Sequence, residues 1–110
     1  MQNVEEKCSD NLTLCPKFEK VFEILGKKWN GLILETLLTG GALRFKDIAK
    51  CIDKCSDRVL VERLKSLENE GLIERRTYED SSLIEYRLTK VGKEMRPVLE
   101  SIHKFADCWY

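Results

Sequence analysis

The amino-acid sequence predicts a mainly α-helical domain that carries one small β-hairpin. Apolar residues recur every three or four positions in four successive segments, which is the spacing of helices that bury one face. The period then shortens to that of strands over residues 72–78 and 84–88, with the polar residues 79–82 between them. A last segment returns to helical spacing, and 110 residues suffice for one such domain with a single core.

The first three helices are expected between residues 15 and 52. Pro16 suits a first helical turn with Cys15 at its cap, and Gly26 ends that helix. Residues 1–14 show no periodicity, so they are expected to form a mobile arm before a domain of residues 15–110. The apolar positions of the three helices are Phe18, Val21, Phe22 and Leu25, then Trp29, Leu32, Ile33 and Leu37, then Phe45, Ile48, Ala49 and Ile52.

The fourth helix has the clearest signals at both ends. Ser56 is a good N-cap and Gly71 a good stop, and between them Leu60, Leu64 and Leu67 form the buried stripe. Thr89 is expected to cap a long final helix, which Pro97 should kink or restart. The apolar residues of this last segment step by 4, 3, 4, 3 and 4, as in a heptad seam: Val91, Met95, Val98, Ile102, Phe105 and Trp109.

The order of four helices, hairpin and helix is that of a winged helix-turn-helix, in which a helix fits the DNA major groove beside a hairpin wing. Charge alone does not indicate DNA binding, because 19 basic residues balance 19 acidic ones. The architecture does, and the candidate DNA contacts are Arg44, Lys46, Ser56, Asp57, Arg58, Val61, Glu62, Lys65, Arg75, Arg76, Ser81 and Ser82.

Two of these groups have an alternative interpretation. Arg58, Val61, Glu62 and Lys65 share one face of the fourth helix, which is either a surface that reads bases or an ordinary solvated face. The wing tip is acidic, and the strand arginines Arg75, Arg76 and Arg87 either contact the DNA backbone or pair with Glu74 and Glu85.

Five cysteines, an odd number, argue against a structural disulfide framework. A helix N-terminus favours a thiolate, so Cys15 is either a reactive thiol or simply a small residue at a helix start. Cys8, Cys15, Cys51 and Cys55 lack the close spacing of a zinc site, and His103 is the sole histidine. No catalytic or cofactor-binding motif is present, so neither an enzyme nor a bound cofactor is expected. No signal peptide or membrane-spanning run is evident, which favours a cytoplasmic protein.

Several short motifs together resemble the HxlR family of transcription regulators, which are related to MarR-type winged helix proteins. They are Cys15-Pro16, Gly26-Lys27-Lys28-Trp29, Arg44-Phe45, Arg63-Leu64, Leu67-Glu68, Gly71-Leu72-Ile73, Glu85-Tyr86, Leu88-Thr89 and Gly92. The region from Cys15 to Ile33 is most similar to members that sense quinones and other electrophiles. The wing differs, since Ser82 and Leu83 stand where many members have proline and arginine, and Asp57-Arg58 replaces a frequent proline-lysine pair.

The resemblance implies a homodimer, built from the first and last helices, that binds a palindromic operator. It also implies that Cys15 is the sensing thiol and that Cys108 could form an intersubunit disulfide with it. The predicted dimer contacts are Phe18, Phe22, Val98, Ile102, Phe105 and Trp109. The leading hypothesis is therefore a repressor released by oxidation or by a quinone. The alternatives are a regulator without thiol chemistry, answering to a small ligand or to none, and a winged helix that binds proteins.

Overall fold

The computed structural model describes residues 13–110, so most of the predicted N-terminal arm, and Cys8 with it, lies outside the described residues. The elements are α1 (Pro16–Leu25), α2 (Asn30–Gly40), α3 (Phe45–Cys51), α4 (Asp57–Asn69), β1 (Ile73–Tyr78), β2 (Ser81–Leu88), α5 (Lys90–Lys93) and α6 (Arg96–Trp109). The predicted mainly helical fold with one hairpin wing is confirmed. No helix of the described chain is long and apolar enough to cross a membrane.

The core is formed by α2, α3 and α4, closed by the base of the hairpin and by Leu99 of α6. Its members are aliphatic residues and one cysteine, all less than a tenth exposed: Ile33, Leu34, Leu37, Ile48, Ile52, Cys55, Leu60, Leu64, Leu67, Leu72, Ile73, Leu88 and Leu99. The predicted stripe of α4 is confirmed, since Leu60, Leu64 and Leu67 are at most 1% exposed.

The ends of α4 follow from local sequence. The backbone N–H of Val59 donates to the Ser56 hydroxyl at 3.2 Å, as expected of an N-cap serine. At the other end Gly71 has a φ of 79°, a conformation that costs glycine little. The N–H of Leu72 then donates to the carbonyl of Leu67 at 3.1 Å, which closes the helix and directs the chain into β1.

The start of α2 differs from the prediction. Trp29 was expected inside the helix, but it precedes α2 with a left-handed φ of 81°. Leu32 was expected among the buried positions, yet it is 55% exposed, while Leu34 takes its place in the core. The physical reason is helical spacing: Ile33 and Leu34 lie four and three positions before Leu37 and share its buried face, whereas Leu32 lies outside that face.

The hairpin is longer than predicted. The strands pair antiparallel from Ile73 opposite Leu88 to Tyr78 opposite Ser81, with an irregularity at Thr77 and Tyr78. Ser81 and Ser82 therefore belong to β2, and the prediction that they form part of the polar link is wrong. A backbone bridge adds support, because Leu43 and Tyr86 exchange N–H···O bonds of 2.9 and 2.8 Å. This bridge attaches the chain before α3 to the wing.

The C-terminal segment is two helices. Thr89 caps α5 as predicted, its hydroxyl accepting from the N–H of Gly92 at 3.0 Å. Pro97 lies in the first turn of α6, so the prediction that it marks a new start is confirmed. Val91 lies on α5, apart from the α6 residues with which it was expected to form one continuous seam.

Candidate nucleic-acid interface and thiol site

The outer face of α4 is open to solvent. Arg58, Val61, Glu62 and Lys65 are all exposed, on the side away from the leucine stripe. Ser56 and Asp57, at the start of the same helix, are exposed too. Because the buried stripe packs α4 against the core, the opposite face is directed outward, where a DNA groove could receive it.

A second group of candidate DNA contacts comes together beside the wing. Arg44 and Lys46 at the start of α3 line one surface depression with Ser81 and Ser82 of β2. The Leu43–Tyr86 bridge explains this proximity, since it joins the residue before Arg44 to the wing strand. Sequence reasoning named these four residues but had no signal that brought them to one place.

Two of the three wing arginines, Arg76 and Arg87, lie close to the carboxylate of Glu74. The guanidinium of Arg87 donates through Nε to Glu74 Oε1 at 2.9 Å, and Arg76 approaches the same oxygen at 4.0 Å. Pairing with Glu74 is thus confirmed for both. Pairing with Glu85 was the other expectation, but Glu85 accepts a 2.7 Å hydrogen bond from the Tyr78 phenol, which raises the pKa of Tyr78 above its usual range. Arg75 remains exposed.

Cys15 is the N-cap residue of α1, as predicted, and its side chain is exposed. Its carbonyl accepts from the N–H of Glu19 at 3.0 Å, and its thiol makes no capping bond. The other described thiols differ: Cys51 and Cys108 are exposed, whereas Cys55 is 5% exposed in the core. Within residues 13–110 no three potential ligands converge as a metal site would require.

The six predicted dimer residues are all exposed and apolar. Phe18 and Phe22 of α1 lie with ring centroids 4.9 Å apart and are more than half exposed. Along α6 the exposed fraction is 41% at Val98 and rises to 74% at Trp109. Leu99 is the residue that α6 buries in the core. Nearly all of the apolar face of α6 therefore lies on the surface.

One residue that sequence reasoning left out of the site connects two parts of it. Arg63 of α4 donates through Nε to the carbonyl of Lys28, in the turn between α1 and α2, at 2.9 Å. The two residues are 35 positions apart, so no local pattern could have revealed the contact.

A helix-turn-helix followed by a two-stranded wing defines a winged helix DNA-binding domain. The chain belongs to the HxlR-like helix-turn-helix family, whose sequence profile matches residues 24–110. Its relatives are named as HTH-type transcriptional regulators, so it is a transcription regulator and not an enzyme.

Two proteins of Bacillus subtilis illustrate the similarity. The HTH-type transcriptional regulator YvaP is 44% identical over 97 residues, covering 87% of this chain and 89% of the relative. The crystal structure of quinone-bound YodB is 40% identical with a TM-score of 0.76, covering 87% of this chain and 100% of that one. The reduced form of YodB is 38% identical with a TM-score of 0.78, covering 88% and 95%.

Proposed function

We propose that this regulator is a homodimeric repressor that leaves its operator when Cys15 reacts with a quinone, another electrophile or an oxidant. The observation that carries the proposal is the exposed thiol of Cys15 at the N-terminus of α1, on the helix that bears the exposed pair Phe18 and Phe22. A reactive group and a dimer contact would thus share one short helix.

DNA binding is assigned to the outer face of α4 and to the surface between α3 and the wing. In this proposal Arg58 contacts a base edge or a phosphate. Phosphates are also contacted by Lys65, Arg44 and Lys46. Ser81, Ser82 and Arg75 extend the same surface along the wing. A two-fold dimer presents two α4 helices, which requires palindromic half-sites about 34–36 Å apart.

The sensing chemistry is thiolate addition. The Cys15 sulfur gives up its proton and attacks a quinone ring carbon, and an S–C bond forms. That carbon then loses its hydrogen as a proton, and the two ring oxygens take up one proton each, so that the product is a thioether-substituted hydroquinone. With diamide the oxidant gains two electrons and two protons, and two thiols become a disulfide, for which Cys108 is the proposed partner. The quinone-bound structure of the similar YodB supports the first route.

Release of DNA follows from the position of α1 in the proposed dimer. A modification at Cys15 changes how the two subunits pack, and a small rotation misplaces both α4 helices together. Shifting the protein from nearly full to nearly absent binding requires about 5 kcal/mol in favour of the non-binding arrangement. A covalent change can supply this because it is not limited by the affinity of a free ligand.

The test is a titration of the protein with DNA from upstream of its own coding sequence, followed by fluorescence anisotropy with and without benzoquinone or diamide. We expect tight binding that either reagent abolishes and that a reductant restores after diamide. Binding that neither reagent alters contradicts thiol sensing. Failure to bind any duplex favours the alternative of a winged helix that binds proteins.

One feature favours a second candidate, a regulator that answers to a small ligand without thiol chemistry. A cavity of about 360 Å³ lies between the α1–α2 turn, α2 and α6, with mainly apolar walls that include Trp29, Leu32 and Ile102. At its edge His103 Nε2 lies 2.9 Å from Glu35 Oε2. Release of DNA from Cys15→Ser, on adding a reduced hydroquinone, would favour this candidate.

A further inference from the structure

Arg63 occupies a flank of α4 between the buried leucine stripe and the outer face. Its side chain is 20% exposed, and its Nε donates to the carbonyl of Lys28 at 2.9 Å. On its other side Nη1 lies 4.0 Å from Oε1 of Glu62, which belongs to the outer face. A guanidinium is planar and stiff, so its hydrogen bonds fix direction as well as distance. The side chain therefore connects the α1–α2 turn with the surface assigned to DNA.

The carbonyl that Arg63 captures lies in a strained turn. Trp29 has a φ of 81°, a conformation that is rare for a bulky aromatic residue. The Lys28 carbonyl belongs to the peptide plane attached to the Trp29 nitrogen, so rotation about this φ turns the carbonyl itself. Two contacts brace the turn: Lys28 Nζ lies 5.0 Å from the Trp29 ring centroid, and Asn30 Nδ2 donates to the Ile24 carbonyl at 2.9 Å.

A second link between α1 and α4 is weaker. Lys20 Nζ lies 3.2 Å from Glu70 Oε2, but the two side chains are 56% and 32% exposed, so water and salt screen the pair. Arg63 is more buried than either of these side chains and bonds to a backbone group. Of the two polar links, it is the one that can set the direction of α4.

We propose that Arg63 is a positioning residue, which holds the outer face of α4 in its DNA-binding orientation through the strained Lys28–Trp29 peptide. If Trp29 relaxes to a negative φ, the Lys28 carbonyl turns away and Arg63 loses its acceptor. The orientation of α4 then depends on its apolar contacts alone. The positioning role of Arg63 does not depend on the proposed thiol sensing. Only one part of the inference rests on it, namely that a change at Cys15 in α1 reaches α4 through this contact.

The test uses the full chain and two substitutions, Arg63→Met, which keeps the apolar stem, and Arg63→Lys, which keeps the charge. Anisotropy is measured on a duplex obtained by in vitro selection and on a random duplex, over a series of salt concentrations. For Arg63→Met we expect about ten-fold weaker binding of the selected duplex, as follows if about one molecule in ten keeps α4 in the binding orientation. Random-duplex binding and the salt slope should not change, and Arg63→Lys should recover part of the affinity.

Three results would overturn the proposal. Wild-type affinity in Arg63→Met excludes any role, and a salt slope flattened by about one charge means that Arg63 contacts phosphate directly. An equal loss on both duplexes, with a lower unfolding temperature, means a purely structural role. Should Arg63→Met not fold, the same criteria apply to Arg63→Lys.

A diamide arm separates this proposal from the proposed function. Diamide should weaken wild-type binding of the selected duplex by a factor about ten times larger than for Arg63→Met. In that variant α4 has already lost its link to the turn, so the roughly ten-fold contribution of the link is no longer available. No diamide effect on wild type would refute thiol sensing and leave the positioning result standing. A strong effect on wild type and an equal one on Arg63→Met would refute transmission through Arg63.

Discussion

Among the described cysteines, Cys15 alone caps a helix, and its thiol is free and exposed. A small electrophile or oxidant can therefore reach its sulfur without any rearrangement of the fold. Cys51 offers a matched comparison, because it is also exposed but lies at the C-terminal end of α3, away from α1.

We therefore predict that Cys15→Ser binds operator DNA like wild type and stays bound after benzoquinone or diamide, whereas Cys51→Ser is released. Serine keeps the size of the side chain but cannot form the adduct. Fluorescence anisotropy checks the binding and intact-mass spectrometry checks the adduct. Release of Cys15→Ser as readily as wild type would remove Cys15 from the sensing role. Cys55→Ser is a poorer control because Cys55 is buried in the core.

A second residue-scale prediction concerns Gly92, where α5 passes close to the end of α4. A Cβ at this position would lie 2.0 Å from the carbonyl oxygen of Leu72, which is backbone and cannot move aside cheaply. Gly92→Ala should lower the free energy of unfolding by about 1–3 kcal/mol, as overpacking does. Gly31→Ala is the control, because a Cβ there meets nothing within 4 Å, and it should be neutral or slightly stabilising. The free energy of unfolding of both variants is measured by urea titration. If Gly92→Ala is as stable as Gly31→Ala, the close approach of α5 to Leu72 is contradicted.

At the scale of the element, the two faces of α4 differ in burial. Leucines on one side pack into the core, and the residues of the opposite face, to which we assign DNA binding, are exposed. Substitutions on the outer face should consequently alter DNA binding without altering folding.

For Arg58→Ala and Lys65→Ala we predict weaker operator binding at an unchanged unfolding temperature. Loss of a base contact by Arg58 should cost about 1–3 kcal/mol and relax specificity at one position. Loss of a phosphate contact by Lys65 should weaken all sequences alike and flatten the salt dependence. Lys104→Ala, the same charge change on exposed α6, serves as control. If both α4 variants bind as wild type does, DNA is contacted by another surface.

At the scale of the whole molecule, the described chain leaves a large apolar area uncovered. Aromatic side chains of α1 and α6 account for much of it, and monomeric proteins rarely expose a contiguous apolar patch larger than roughly a few hundred Å². Burying Phe105 and Trp109 in an interface would contribute several kcal/mol per subunit at about 25 cal/mol per Å².

We predict a dimer in sedimentation experiments at micromolar concentration. Phe105→Asp should shift the chain towards monomer and weaken operator binding with it, since each subunit would then hold one half-site alone. Val91→Asp is the matched control: Val91 is 62% exposed and apolar, but it lies on α5, outside the proposed interface. A wild-type monomer under these conditions would refute the dimer.

The sequence alone determined the elements whose signals are local. Spacing predicted the α4 stripe, and Ser56, Thr89 and Pro97 marked helix starts because a cap or a fixed φ acts within one turn. It also named the exposed α4 residues and Cys15, since an amphipathic pattern specifies which side of a helix is polar.

Tertiary structure alone decided what joins these elements. The bridge from Leu43 to Tyr86 and the bond from Arg63 to Lys28 join segments far apart in the chain, and the left-handed Trp29 directly follows Lys28. Strand pairing likewise drew Ser81 and Ser82 out of the turn. Such contacts form only when packing brings the segments together, and neither periodicity nor capping carries information over that distance.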